Sequence, residues 1–210
     1  MYAKGEGVAQ NIVKVFFGTD RKATTSIKPA KIFANERGKR ISYGSCEVSI
    51  PFTHDSGNLE EPFAFKTIFE DPRKHIVLLR VELQPRSNYY KNLNDYSKKF
   101  KERKALVFIH GYNNSFEDSA RRTAQIAYDT KFSGVPIFYS WPSKSGFADY
   151  FTDGSNAEQA ISYLKVFLKD LVNEPEFDSI YLLAHSMGDA PGTLFICRLR
   201  ELRELRGVSP

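Results

Sequence analysis

Three short apolar runs, ALVFIHG (105–111), VPIFYSW (135–141) and SIYLLAHS (179–186), separated by two stretches of helical pattern, constrain what this chain can fold into. Runs so short and so uniformly apolar suit strands buried on both faces of a parallel sheet. Ser115, three residues before Asp118, forms a capping box that opens FEDSARRTAQIAYDT, and Ser155 with Glu158 opens the next helix. In that second helix Ala157, Ile161, Leu164, Leu168 and Leu171 recur at intervals of four, three, four and three and predict one apolar stripe. The pattern is strand, helix, strand, helix, strand. Right-handed crossovers then require a mostly parallel sheet with helices on both faces, an α/β fold.

At 210 residues and 41% hydrophobic, the chain is long enough to build one domain over 1–210. Its first 100 residues read as strands, from NIVKVFFGT, ISYGSCEVSI and HIVLLRVEL, and lead into the βαβαβ core at 104–188. The net charge of +5 is spread among 25 acidic residues, which speaks for solubility and against a nucleic-acid partner. The one basic run, KKFKERK (98–104), reads as a solvated helix face. Cys46 and Cys197 lie far apart without metal-ligand spacing, so reduced thiols are expected, and neither a metal nor a cofactor is implied. The N-terminal MYAKGEGVAQ has no apolar leader and no run reaches transmembrane length, which makes a cytoplasmic location the expectation.

In a parallel sheet, ligands bind at the carboxyl ends of the strands. The polar and aromatic clusters of this sequence fall there: HGYNN after the first core strand, WPS after the second and HSMG after the third. AHSMG fits the nucleophile elbow with Ala184 in place of the first glycine. The elbow strains the backbone at its serine, so the residues two before and two after must be small, and Ala184 and Gly188 are. Ser186 is then the candidate nucleophile, supported by His185 in the elbow, although a serine after a strand is often only a helix N-cap. In hydrolases of this fold, the loop after the first core strand supplies one backbone N–H of the oxyanion hole and the residue after the nucleophile the other. Tyr112 and Met187 would be those donors, with His110 and Gly111 supporting the loop. Gly111 could instead only make a turn and His110 only pack at a strand end. Trp141 could be a pocket wall, or simply core.

With VFIHGYNNSFEDSARRTAQIAYDT, FYSWPS and LLAHSMG in the core, and FFGTDRK and YGSCEVSIP upstream, the chain resembles the bacterial alpha/beta hydrolases long catalogued as a domain of unknown function. The resemblance covers residues 12 to 188. It implies a serine-hydrolase fold acting on an ester or related acyl bond, of a small-molecule or lipid-like substrate, with Ser186, Tyr112 and Met187 at the matching positions.

Beyond Asp189 the resemblance ends. DAPGTLFICRLRELRELRGVSP carries Pro191 and Gly192 early and then helical spacing, so a divergent tail helix is expected over 189–210, with the family's later strands missing. Only 210 − 186 = 24 residues follow Ser186, and none is a histidine. In this fold the triad acid and base follow the nucleophile, and a further βαβ unit takes roughly 30 residues. The chain is thus expected to lack its triad partners, with a non-catalytic binding module as the alternative. His54 and His75, in the upstream half, read as surface residues near turns. Without a following strand, 179–185 would be an exposed apolar edge through which copies could self-associate.

Overall fold

The computed structural model describes residues 11–57, 71–111, 113–143, 154–185 and 194–198, with 154–160, 185 and 194–198 described by backbone alone. Strands β1 (Asn11–Ala23), β2 (Phe33–Ile50) and β3 (Val77–Gln84) come first, with a short 3₁₀ turn at Pro29–Lys31. Helix α1 (Arg86–Ser97) leads into β4 (Lys104–Ile109), α2 (Phe116–Asp129) and β5 (Val135–Ser140). The chain continues through α3 (Gly154–Asn173), β6 (Ser179–His185) and β7 (Leu194–Arg198).

These strands form one sheet in the order β3-β2-β1-β5-β4-β6-β7. The four inner strands are parallel, β1 to β5, β5 to β4 and β4 to β6, while β2, β3 and β7 pair antiparallel with their neighbours. The expected mostly parallel sheet is therefore present. Its helices lie on both faces: Phe116, Ala120 and Ala124 of α2 pack with Val15, Phe17, Phe108, Phe138 and Leu183. On the other face Tyr89, Tyr90 and Leu93 of α1 and Phe167 and Leu171 of α3 pack with Phe16, Val107, Ile137, Tyr139 and Ile180.

The Ser115 capping box forms as the sequence predicts: Ser115 Oγ accepts from the Asp118 N–H and the Asp118 carboxylate accepts from the Ser115 N–H. Leu164, Leu168 and Leu171 of the expected α3 stripe pack on the sheet, while Ile161 does not. Ile161 is 47% exposed, and the residue set deepest is Phe167, whose ring lies against Gly18 of β1 where no side chain stands in the way. Two further expectations are corrected. The first hundred residues are not all strand, since α1 is a helix that follows Pro85 and is held by buried tyrosines rather than by an aliphatic stripe. The tail is not all helix either, because Leu194–Arg198 is strand β7, paired antiparallel with β6 from Tyr181↔Arg198 to His185↔Leu194. Strand β6 is thus flanked on both sides, and the exposed edge predicted at 179–185 is covered. No helix among the described residues is long and apolar enough to cross a membrane.

Candidate active site at the carboxyl ends of the inner strands

The chain leaves β4 for its neighbour β5 on one side and then returns past β4 to β6 on the other. Strand order reverses between β4 and β6, and the crevice outside such a reversal is where open α/β sheets bind ligands. Ile109 of β4 pairs with Ala184 of β6, so the carboxyl ends of these two adjacent strands lie at one level. Ala184 closes that register. Tyr112, Ser186, Met187 and Gly188 lie outside the described residues, as does the His185 side chain.

His110, directly after β4, is 1% exposed and fully engaged. Its Nε2 accepts the Trp141 backbone N–H at 3.0 Å, which requires the proton on Nδ1, and Nδ1 lies 2.7 Å from the Gly111 carbonyl oxygen. The imidazole therefore donates to Gly111. Burial, reinforced by the Arg21 cation, pushes its pKa down to about 3, against the smaller upward pull of the Gly111 hydrogen bond and Asp118. It is neutral at physiological pH. Trp141 stacks on the imidazole with ring centroids 5.3 Å apart and planes 4° from parallel, and its indole Nε1 donates to the His110 carbonyl at 3.0 Å. Trp141 is 8% exposed and belongs to the buried cluster on the α1 and α3 face of the sheet.

The loop beyond Gly111 is tied to the end of β5. Asn113, in the left-handed region with φ 54°, donates its N–H to the Ser143 carbonyl at 3.1 Å. The Asn114 N–H donates to Ser143 Oγ at 3.1 Å, and that hydroxyl donates to the Asn114 carbonyl at 3.0 Å.

A second group at this edge was not singled out from the sequence as functional. Arg21, near the end of β1, is 1% exposed and spreads its guanidinium over three elements. Nε donates to Ser140 Oγ at 2.8 Å, Nη2 to the Asn114 carbonyl at 2.6 Å and Nη1 to the Asn35 side-chain oxygen. Ser140 Oγ stands 3.3 Å from His110 Nε2. Thr19 donates through Oγ1 to the Ser140 carbonyl at 2.6 Å. Desolvation lowers the Arg21 pKa to about 10, with Asp20 and Asp118 acting the other way, so it keeps its charge at neutral pH. The readable signal was FFGTDRK itself: an Asp-Arg pair at the end of a strand whose preceding residues are buried.

The other histidines lie elsewhere. Ile50 pairs with Asn11, so the segment holding His54 sits at the amino end of β1, the edge opposite the site. Contrary to the surface reading, the His54 side chain is only 3% exposed and Nε2 lies 2.7 Å from Asp129 Oδ1. His75 precedes β3 at that same edge and accepts the Asp71 N–H through Nδ1 at 3.1 Å. Within KKFKERK, three of the five cations pair with acids, Lys98 with Asp95, Lys104 with Glu102 and Arg103 with Glu176.

A mostly parallel sheet with helices on both faces and a strand-order reversal is the arrangement of open α/β folds, of which the alpha/beta hydrolases are one class. Residues 86–207 match the family described as alpha/beta hydrolase of unknown function (DUF900), and the chain belongs to that family. No curated protein and no solved structure matches it.

Proposed function

We propose that this chain carries a serine-hydrolase site for an ester or related acyl bond of a small-molecule or lipid-like substrate. Ser186 is its nucleophile, and the backbone N–H groups of Tyr112 and Met187 hold the developing oxyanion. The observation that supports this reading best is the pairing of Ile109 with Ala184, which sets the carboxyl ends of β4 and β6 side by side at the strand-order reversal. When the serine oxygen adds to the acyl carbon, the carbonyl oxygen gains negative charge. Two fixed N–H donors in a dry cleft stabilise that charge, because they need not reorganise as it forms.

Attack also needs a base, and three histidines are unsuited to that role. His110 has both nitrogens engaged and a strongly depressed pKa, while His54 and His75 sit at the far edge. This occupancy favours, as the second reading, a binding module that keeps the pocket without turnover.

A fluorophosphonate probe separates the two readings. The hydrolase reading expects covalent labelling that maps to Ser186 and disappears in Ser186→Ala, slow in the 210-residue chain because His54, His75 and His110 are not placed to activate the serine. With His54, His75 and His110 unsuited as base, hydrolysis of an activated ester should stay far below the roughly 1 to 10³ per second usual for enzymes. Labelling that survives Ser186→Ala would sink the nucleophile assignment. A chain that resists the probe altogether would favour the binding module.

A further inference from the structure

We infer that the free end of the β1–β2 hairpin, residues 20–40, seats the protein on an anionic lipid surface, with Ile27 entering the interface and Lys28 and Lys31 beside it at the headgroups. The docking itself stands apart from the hydrolase reading above. Its consequence, a membrane lipid rather than a soluble small molecule as substrate, rests on that reading.

The hairpin outruns the sheet at the edge where the inner strands end. Strand β1 pairs with β5 as far as Thr19↔Ser140, and β2 meets β3 only from Tyr43↔Gln84 onward. Past those pairs the two strands continue on each other, through Arg21↔Arg37 to Ala23↔Phe33. At about 3.3 Å per residue, the stretch from Thr19 to Ala23 adds roughly 13 Å of strand beyond the sheet. Its base is bolted down, because the buried Arg21 donates to Asn35 on β2, to Ser140 on β5 and to the Asn114 carbonyl in the loop after β4. The arm is thus fixed relative to that loop.

The excess charge of the chain sits on this arm. Residues 20–40 hold seven of the 30 Lys and Arg and two of the 25 Asp and Glu, so the rest of the chain carries 23 of each and no formal net charge. The whole +5 belongs to the hairpin. Of its two acids, Asp20 is buried and Glu36 pairs with Lys22 at 2.7 Å. Lys28, Lys31, Lys39 and Arg40 are exposed, and none of them joins an ion pair among the described residues.

At the tip, Ile27 is 97% exposed. Thr24 donates its N–H to the Ile32 carbonyl at 2.9 Å and its Oγ1–H to the Lys31 carbonyl at 2.6 Å. Thr24 Oγ1 accepts the Ser26 N–H at 3.0 Å, and Ser26 Oγ accepts the Lys28 N–H at 3.1 Å. These bonds close the turn without the isoleucine side chain, which is left facing solvent. A single exposed apolar residue is ordinary. One held on an ordered tip between exposed cations has the form of an interfacial anchor: the apolar side chain enters the headgroup boundary while the cations meet the negative surface potential. A surface for single-stranded nucleic acid sets aromatic side chains among its cations to stack on bases, and 20–32 has none.

The test is flotation of the full chain with vesicles of phosphatidylcholine alone and of equal parts phosphatidylcholine and phosphatidylglycerol. Binding to the anionic vesicles should be at least tenfold tighter and should weaken as salt rises, since screening shortens the reach of the surface potential. Each Lys or Arg at such a surface is worth about fivefold in partitioning, so Lys28→Glu with Lys31→Glu should weaken binding at least about twentyfold. Ile27→Ser should weaken it about tenfold through lost apolar burial. Lys99→Glu with Lys101→Glu, the same charge change between α1 and the start of β4 at the opposite edge, should alter it less than twofold. Ile27→Trp, read against the buried Trp141, should gain blue-shifted emission on anionic vesicles that brominated lipid quenches. No preference for anionic vesicles would overturn the inference. So would equal losses in the hairpin and the Lys99 and Lys101 variants, which would reduce the effect to net charge. Binding to single-stranded DNA or polyglutamate as tight as to vesicles, and indifferent to Ile27→Ser, would overturn it by making the hairpin a general polyanion site. The substrate consequence is read at Ser186, where a long-chain fluorophosphonate dispersed in vesicles should label at least tenfold faster in anionic than in neutral ones. Equal labelling in both would overturn the lipid substrate. If Ser186 is not labelled by this probe or a short soluble one, the hydrolase reading fails by itself, and vesicle binding still decides the hairpin's part.

Discussion

Asp20 is a carboxyl with no exposure to water, set beside Arg21 near the carboxyl end of β1. Desolvation pushes its pKa up to about 6, and its backbone hydrogen bond, the Arg37 guanidinium with Nε at 4.0 Å, Tyr139 and Arg21 offset that only in part. The folded-state value lies above the unfolded one, so the associated stability is fully present below about pH 4 and is lost as pH rises through about 6. A shift of this size corresponds to at most about 3 kcal/mol. Asp20→Asn should therefore match the parent chain near pH 4 and exceed it at pH 8, by up to that amount, in urea unfolding at the two pH values. If the variant is weaker at pH 8, the pairing with Arg37 outweighs the burial. At this scale the sequence is only partly legible. The small residue at 184 and the hydrogen-bonding side chains of HGYNN can be read from motif spacing, whereas the Arg21–Ser140–His110 alignment joins residues 119 and 30 positions apart and needs the sheet register to exist.

At the scale of elements, the seat of α3 on the sheet depends on one absence. An added Cβ at Gly18 would lie 2.5 Å from the Phe167 ring, closer than real side chains come, so β1 must carry glycine where that ring lands. Phe167 also packs on Tyr139, ring centroids 5.1 Å apart. Gly18→Ala should destabilise the chain by about 1–3 kcal/mol, as overpacking of a close-packed core does. Phe167→Ala should cost about 3–5 kcal/mol by the cavity it opens. The double variant should cost clearly less than the sum, because the cavity receives the new methyl. Thermal unfolding of the three variants checks this, and strict additivity would mean that glycine and ring do not meet. The helix and most of its inward line, Leu164, Leu168 and Leu171, were legible from periodicity, but its deepest residue was not. A stripe drawn through Ile161, Leu164, Leu168 and Leu171 misses Phe167, since the fit to Gly18 on a strand about 150 residues earlier decides which side of the helix turns inward. Helix α1 escaped notice for a related reason. Asparagine, serine and tyrosine are indifferent helix formers, and RSNYYKNLNDYS becomes helical by burying Tyr89, Tyr90 and Leu93 against the sheet.

At the scale of the whole molecule, the sheet among the described residues is bounded by two strands that are hard to extend. Strand β3 carries Arg80 and Glu82 among exposed positions, and β7 is five residues long, both ordinary ways of blunting an edge. The tail reads as helix because Cys197 or Leu199, with Leu202 and Leu205, keeps helical spacing, yet LFICR is also a run of apolar residues with a β-branched Ile196. The unpaired backbone of β6 offers it five register partners, and a row of open N–H and C=O groups favours a strand over a weak intrinsic helix preference. The same physics gives the final prediction. A chain ending at Asp189 loses β7 and leaves Tyr181, Leu182, Leu183 and Ala184 at an edge with no lysine or proline to block addition. It should aggregate at concentrations where the 210-residue chain stays monomeric in light scattering, and the amides of 179–185 should lose most of their exchange protection. Tyr181→Lys in the shortened chain should restore part of the solubility, because a charge on an edge strand opposes pairing with another copy. A shortened chain that remains monomeric with 179–185 still protected would mean that another segment covers β6 and that β7 is dispensable to the sheet.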